Sequence, residues 1–202
     1  GMRTDCHIPV RREQAPQGIY LEVAVGGLLG GHSGTEINKE RTNAIKLLGL
    51  TLQQVQNRIP LNLVQIGGGE KDNAIPRTAS AVVCLDKGKQ DEFIRSIENI
   101  QLAEKNENQS KEKGLFIRVA ETSVPEQGVF DADSTARVLS FLTLFPNGVM
   151  AMSADIEGLV ETSLNLGILR TCEQEVVAST AIRSAIETAK HKVNLQVQTL
   201  TK

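Results

Sequence analysis

Ile19, Leu21, Val23 and Val25 alternate with other residues, the period-two signature of a strand with one buried face. A glycine-dense stretch follows, Gly26-Gly-Leu-Leu-Gly-Gly-His32-Ser33-Gly34, and beyond it the period changes. Ile45, Leu48, Leu52 and Val55 fall at helical spacing and predict a helix that starts near Thr35–Asn38 and stops before Pro60. Apolar runs at about 61–67 and 76–86 predict two strands around the turn Gly67-Gly68-Gly69-Glu-Lys-Asp. Phe93, Ile97 and Ile100 predict a second helix over about 88–104.

The same order recurs after a charged stretch. Residues 105–114 are polar and read as a solvated connection between two halves, 18–104 and 115–202. In the second half, Leu115, Ile117 and Val119 predict a strand, and Asp131 or Asp133 caps a helix carrying Val138, Leu139, Leu142 and Phe145. Val160 to Ile168 alternate, Val176 to Ile182 form the hairpin partner, and Ile186, Ala189, Val193, Val197 and Leu200 mark a last helix. Each half reads strand-helix-strand-strand-helix. The expected fold class is α+β, an antiparallel or mixed sheet with helices on one face. Residues 1–17, with Pro9 and Pro16, read as an extended lead-in. Gly1-Met2 reads as an expression remnant, so the chain is expected to be a piece of a longer protein.

Composition narrows the partners. A net charge of -2 and only 3% aromatics, without Trp, argue against nucleic acid. No apolar run approaches the ~20 residues of a membrane span, so no membrane partner is expected. Cys6, Cys84 and Cys172 are far apart and in no metal-like or disulfide-like spacing, which suits a reducing, cytoplasmic location.

The chemistry centres on His32, held between Gly30, Gly31 and Gly34, where backbone N–H groups and one imidazole can approach a ligand closely. Gly26-x-x-x-x-Gly31-His32-Ser33 also fits a phosphate-loop frame, but a histidine stands where the permanently charged lysine belongs. His7, His32 and His191 share no ligand spacing, so no metal site is expected in this chain. Ser33 has no third group to complete a nucleophilic triad. His32 as a purely local hydrogen-bonding residue stays open at this point.

A second constellation bears on it. Asn73-Ala74-Ile75-Pro76 follows the second glycine turn. With Gly-Leu-Leu-Gly-Gly-His32-Ser-Gly, Asn43-Ala-Ile-Lys-Leu-Leu and Met152-Ser-Ala-Asp-Ile-Glu-Gly-Leu-Val-Glu-Thr-Ser-Leu-Asn-Leu-Gly167, it resembles the lid of the M20 family of zinc metallopeptidases. The likeness is to the aminoacyl-histidine dipeptidase (Xaa-His dipeptidase) branch and runs from about Gly18 to Ser184. It implies a ferredoxin-like lid, here in two halves, inserted into a separate metal-binding domain that this chain lacks. That domain would hold two zinc ions; this chain would hold no cofactor. The resemblance further implies that His32 donates to the oxyanion formed at a dipeptide carbonyl, in its own or a partner subunit, and that Asn73 binds substrate. Many such lids end a strand with an arginine for the substrate carboxylate. The strand after Asn73 ends Cys84-Leu85-Asp86-Lys87 instead, so Arg183 is the candidate, with Arg77 a weaker one. A homodimer is implied, though a second lid-like half could also mimic the partner. The non-enzymatic alternative is an α+β self-association or small-ligand module whose glycine loop is structural.

Overall fold

The computed structural model describes residues 1–202. In chain order its elements are β1 (Met2–Pro9), β2 (Arg12–Glu13), β3 (Ile19–Gly26), β4 (Gly31–His32), α1 (Ala44–Gln56), β5 (Asn62–Gly68), β6 (Ala74–Ile75), β7 (Ala79–Leu85), α2 (Gln90–Glu107), β8 (Phe116–Glu121), β9 (Val129–Phe130), α3 (Ala132–Leu144), β10 (Gly148–Met152), β11 (Val160–Thr171), β12 (Glu175–Ser184) and α4 (Glu187–Thr199). One antiparallel sheet runs β1-β12-β11-β5-β7-β3-β8, with β10 also on β11; β2–β9 and β4–β6 are short ribbons. Apolar residues from all four helices share a single core with the inward residues of the sheet, including Leu48, Phe93, Leu142 and Val197. The α+β class with helices on one face is therefore what the chain adopts. A smaller cluster of Tyr20, Val64, Val82, Cys84 and Val129 lies on the opposite face. Burial pushes the Cys6 thiol up to about 11 and the Cys84 thiol upward as well, so both sit as small apolar side chains.

The division into two halves is different from the sequence reading. β8 pairs with β3 from Leu21↔Glu121 to Gly26↔Phe116, so it completes the first unit. That unit is β3-α1-β5-β7-α2-β8, with strand order β8-β3-β7-β5, the ferredoxin-like layout. β11, β12, β1 and β10 extend the same sheet, and α3 and α4 pack on it. The alternation at Leu115, Ile117 and Val119 marks a strand but cannot say which edge it joins. The connection at 105–114 is also not wholly solvated: α2 runs to Glu107, and Glu112 is only 2% exposed.

Two boundaries move for local reasons. The lead-in contains β1, which pairs along its whole length with β12 and buries Thr4, Cys6 and Ile8 against the helices. The first helix starts at Ala44 because the Asn43 side chain accepts from Ile45 N at 3.0 Å and Lys46 N at 3.2 Å. Residues 37–39 form only a 3-10 turn, closed by Glu40 at φ 50°. Asp131 caps α3 as read, accepting from Ser134 N at 2.8 Å.

Candidate functional site

The two glycine-turn segments meet. β4 pairs with β6, placing His32 opposite Ala74, and Ser33 N donates to Asn73 O at 2.9 Å. His32 is exposed at the end of this ribbon. Its Nδ1 accepts from Gly34 N at 3.1 Å and Thr35 N at 3.2 Å. Two backbone donors make Nδ1 the accepting nitrogen, so the ring proton belongs on Nε2. The ring is thus a preset hydrogen-bond donor.

Arg183 comes from β12, more than a hundred residues away, yet reaches the same place. A Cβ added at Gly34 would sit 2.9 Å from Arg183 Cζ and 3.0 Å from His32 Cε1, so the guanidinium and the imidazole flank this glycine. Ile182 is in the core, and strand alternation therefore puts Arg183 on the face away from the helices. No carboxylate lies within ion-pair distance of Arg183. Arg77 is engaged otherwise: its Nε donates to Leu28 O at 3.3 Å, bracing the glycine loop.

The loop has its own electrostatic lock. Gly30 and Gly31 take φ of 64° and 145°, conformations an L side chain rarely adopts. Arg41 Nη1 donates to Gly30 O and pairs with Glu36 at 3.2 Å. Glu36 also accepts from Lys39 Nζ at 2.9 Å and from His32 N at 2.8 Å. The Lys39 hydrogen bond, followed by the His32 N–H, holds the Glu36 carboxyl down at about 2, from an ordinary 4.5. A depressed carboxyl stabilises above its unfolded value, and that contribution is lost as pH falls through the folded one. Hydrogen exchange should therefore show protection of the His32 amide falling selectively between pH 4.5 and about 2. In Glu36→Gln the protection should already be low at neutral pH, and an unchanged profile would contradict the lock.

Three further residues serve the site; the sequence reading assigned a role to none of them, although Asn165 lies in the Met152–Gly167 segment that carries the resemblance. Asn165, 1% exposed on β11, donates through Nδ2 to Asp72 O at 3.0 Å and Ala74 O at 2.9 Å, gripping the backbone on both sides of Asn73. Arg3 on β1 pairs with Asp72 at 2.7 Å. Glu112 binds backbone at both ends of the His32 loop. Asn165 Oδ1 and Ser33 Oγ are buried without a partner, two polar atoms that flank the Asn73 segment. The side chain of Asn73 itself makes no hydrogen bond within the chain and is half-buried at the ribbon's end. The phosphate-loop frame does not survive: α1 begins twelve residues past His32 rather than directly after the loop, the Ile45 and Lys46 N–H groups of its first turn are taken by Asn43, and β3 is flanked by antiparallel strands. No three His, Cys, Asp or Glu side chains come together as a metal ligand set, so the residues present do not fit a zinc site.

Comparison with known proteins gives matches of three kinds. Residues 23–111 match the profile of the M20 peptidase dimerisation domain, a span that includes His32 and Asn73. The chain is 32% identical over 203 residues to the cytosol non-specific dipeptidase of Escherichia coli (strain K12), covering all of this chain and 42% of that protein. The crystal structure of the aminoacylhistidine dipeptidase from Vibrio alginolyticus superposes at a TM-score of 0.95 with 34% identity, over 98% of this chain and 41% of that one. The chain thus spans less than half the length of either relative.

Proposed function

We propose, since residues 23–111 of this chain match the peptidase dimerisation domain of the M20 family, that the chain is the lid of a dipeptidase and lends His32, Asn73 and Arg183 to its active site. The parent would be a cytoplasmic homodimer hydrolysing dipeptides, Xaa-His among them. The observation that carries this reading is one arrangement: an imidazole preset to donate from Nε2 stands beside an arginine without a carboxylate, on a buried polar scaffold.

Each residue has a defined task. The Nε2–H of His32 points at the carbonyl oxygen of the scissile bond and binds it more tightly as negative charge develops there. The Arg183 guanidinium can take the C-terminal carboxylate through two parallel N–H bonds. The Asn73 amide both donates and accepts, which suits a peptide group. The two zinc ions that the family resemblance implies would be held outside residues 1–202, and the isolated chain would be inactive.

Dipeptides with free and amidated C-termini test the carboxylate role. In the full-length parent, Arg183→Ala should raise KM for the free dipeptide about 10- to 100-fold, the loss of a charge-assisted pair worth about 1.5–3 kcal/mol. The amidated substrate should be unaffected. Equal effects on both would remove Arg183 from the site.

A further inference from the structure

We propose that Glu112 is the positioning residue of the His32 loop, an inference that rests on the role given to His32 above. Glu112 is 2% exposed, and no Lys, Arg or His lies within ion-pair distance of it. Its Oε2 accepts from Leu29 N at 3.0 Å and its Oε1 from Thr42 N at 3.1 Å. A carboxylate this far from solvent is costly unless its oxygens are hydrogen-bonded, and here each is satisfied by one backbone N–H. The two donors stand at the two ends of the segment that carries His32. Glu112 therefore closes that segment into a ring, with one side chain bridging both of its ends.

The anchor is itself held. Glu112 N donates to Asn108 O at 2.8 Å, and Leu115 N donates to Glu112 O at 3.2 Å, tying the residue to the end of α2 and the start of β8. Alongside, a Cβ at Gly27 would lie 1.8 Å from Gly114 O, so the two backbones are in direct contact there. Inside the ring, Arg41 binds Gly30 O and Glu36 binds His32 N. The backbone of His32 is thereby referred, through Leu29, Thr42 and Glu112, to the first unit of the sheet. Displacement of a positioned group by about 1 Å can cost on the order of 10²-fold in rate.

A double-mutant cycle in the full-length parent separates positioning from general stability. Glu112→Gln keeps one acceptor but turns an NH2 toward the other backbone N–H, so one of the two ties is lost. It should lower kcat by roughly 10- to 100-fold with KM changed less than about threefold. In a His32→Ala background the same change should cost nothing further, and exchange of the Leu29 and Thr42 amides should accelerate in Glu112→Gln. Glu112→Met fills the same space without an acceptor and takes its place if the glutamine variant does not fold. If Glu112→Gln slows His32→Ala by the same factor as it slows the wild type, or leaves kcat intact, the positioning role is overturned. If His32→Ala alone leaves kcat unchanged, the underlying reading of His32 falls, and this proposal with it.

Discussion

Replacing His32 by alanine in the full-length parent should lower kcat by roughly 10²–10³-fold, the effect of removing one preset donor to a developing oxyanion. KM should move little, because the lost interaction strengthens only as the carbonyl oxygen gains charge. Stability should barely change. The imidazole is exposed, and the two N–H groups that bond its Nδ1 are at the surface, where water can take its place. Turnover and thermal melting, measured on the same preparation, check the separation. A variant that loses activity only in proportion to its folded fraction would return His32 to a structural role. Wild-type turnover would leave the module reading, in which the glycine loop serves the fold alone.

Gly167→Val should damage the fold strongly next to the Asn73 segment. A Cβ at Gly167 would lie 2.5 Å from Asp72 Cα and 2.6 Å from Asp72 O, both backbone atoms that cannot rotate aside. The segment carrying Asn73 must lift, and the Asn165 amide, buried and already missing a partner for Oδ1, loses both carbonyls it holds. Overpacking costs about 1–3 kcal/mol and an orphaned buried amide about as much again, so a loss of about 3 kcal/mol or more is expected. For a chain of this size that is a fall in Tm of roughly 6–12 °C. Gly158→Ala is the control: its φ of 76° carries strain, but nothing lies within 4 Å of the added carbon. The valine variant should melt well below the alanine one, and similar melting would mean that the close crossing of Gly167 and Asp72 is dispensable.

The strands β3, β11 and β12 were legible because apolar and other residues alternate in them over many positions, and β7 because it is a short apolar run. The strand β1 was not, because its inward residues are Thr4, Cys6 and Ile8 and its outward ones Arg3, Asp5 and His7, a mixture that period-two reading scores weakly. The start of α1 was misplaced because Thr35–Asn38 offers capping residue types, while the cap itself is Asn43. His32 and Asn73 stand out in sequence because each accompanies a glycine cluster, and glycine marks places where backbone must pass close. Glu112 and Asn165 carry no such mark. A glutamate in a charged run and an asparagine in a strand become informative only through partners far along the chain: Leu29, 83 residues from Glu112, and Asp72, 93 from Asn165. Burial turns those two from surface residues into supports, and burial is a property of the whole fold.

The irregularity in β11 separates two kinds of information in this chain. Pairing with β12 passes from Leu166↔Thr180 directly to Ile168↔Ser179, so Gly167 is an extra residue that the ladder steps over. Alternation across the bulge is conserved: Leu166 and Leu169 both reach the core, and their partners stay in step. The sheet would pair as well without Gly167; the Asn73 segment would have no bed to lie in. A strand shortened by this one residue would keep its ladder to β12 and lose the close crossing with Asp72, so the residue belongs to the loop it supports rather than to the strand that carries it.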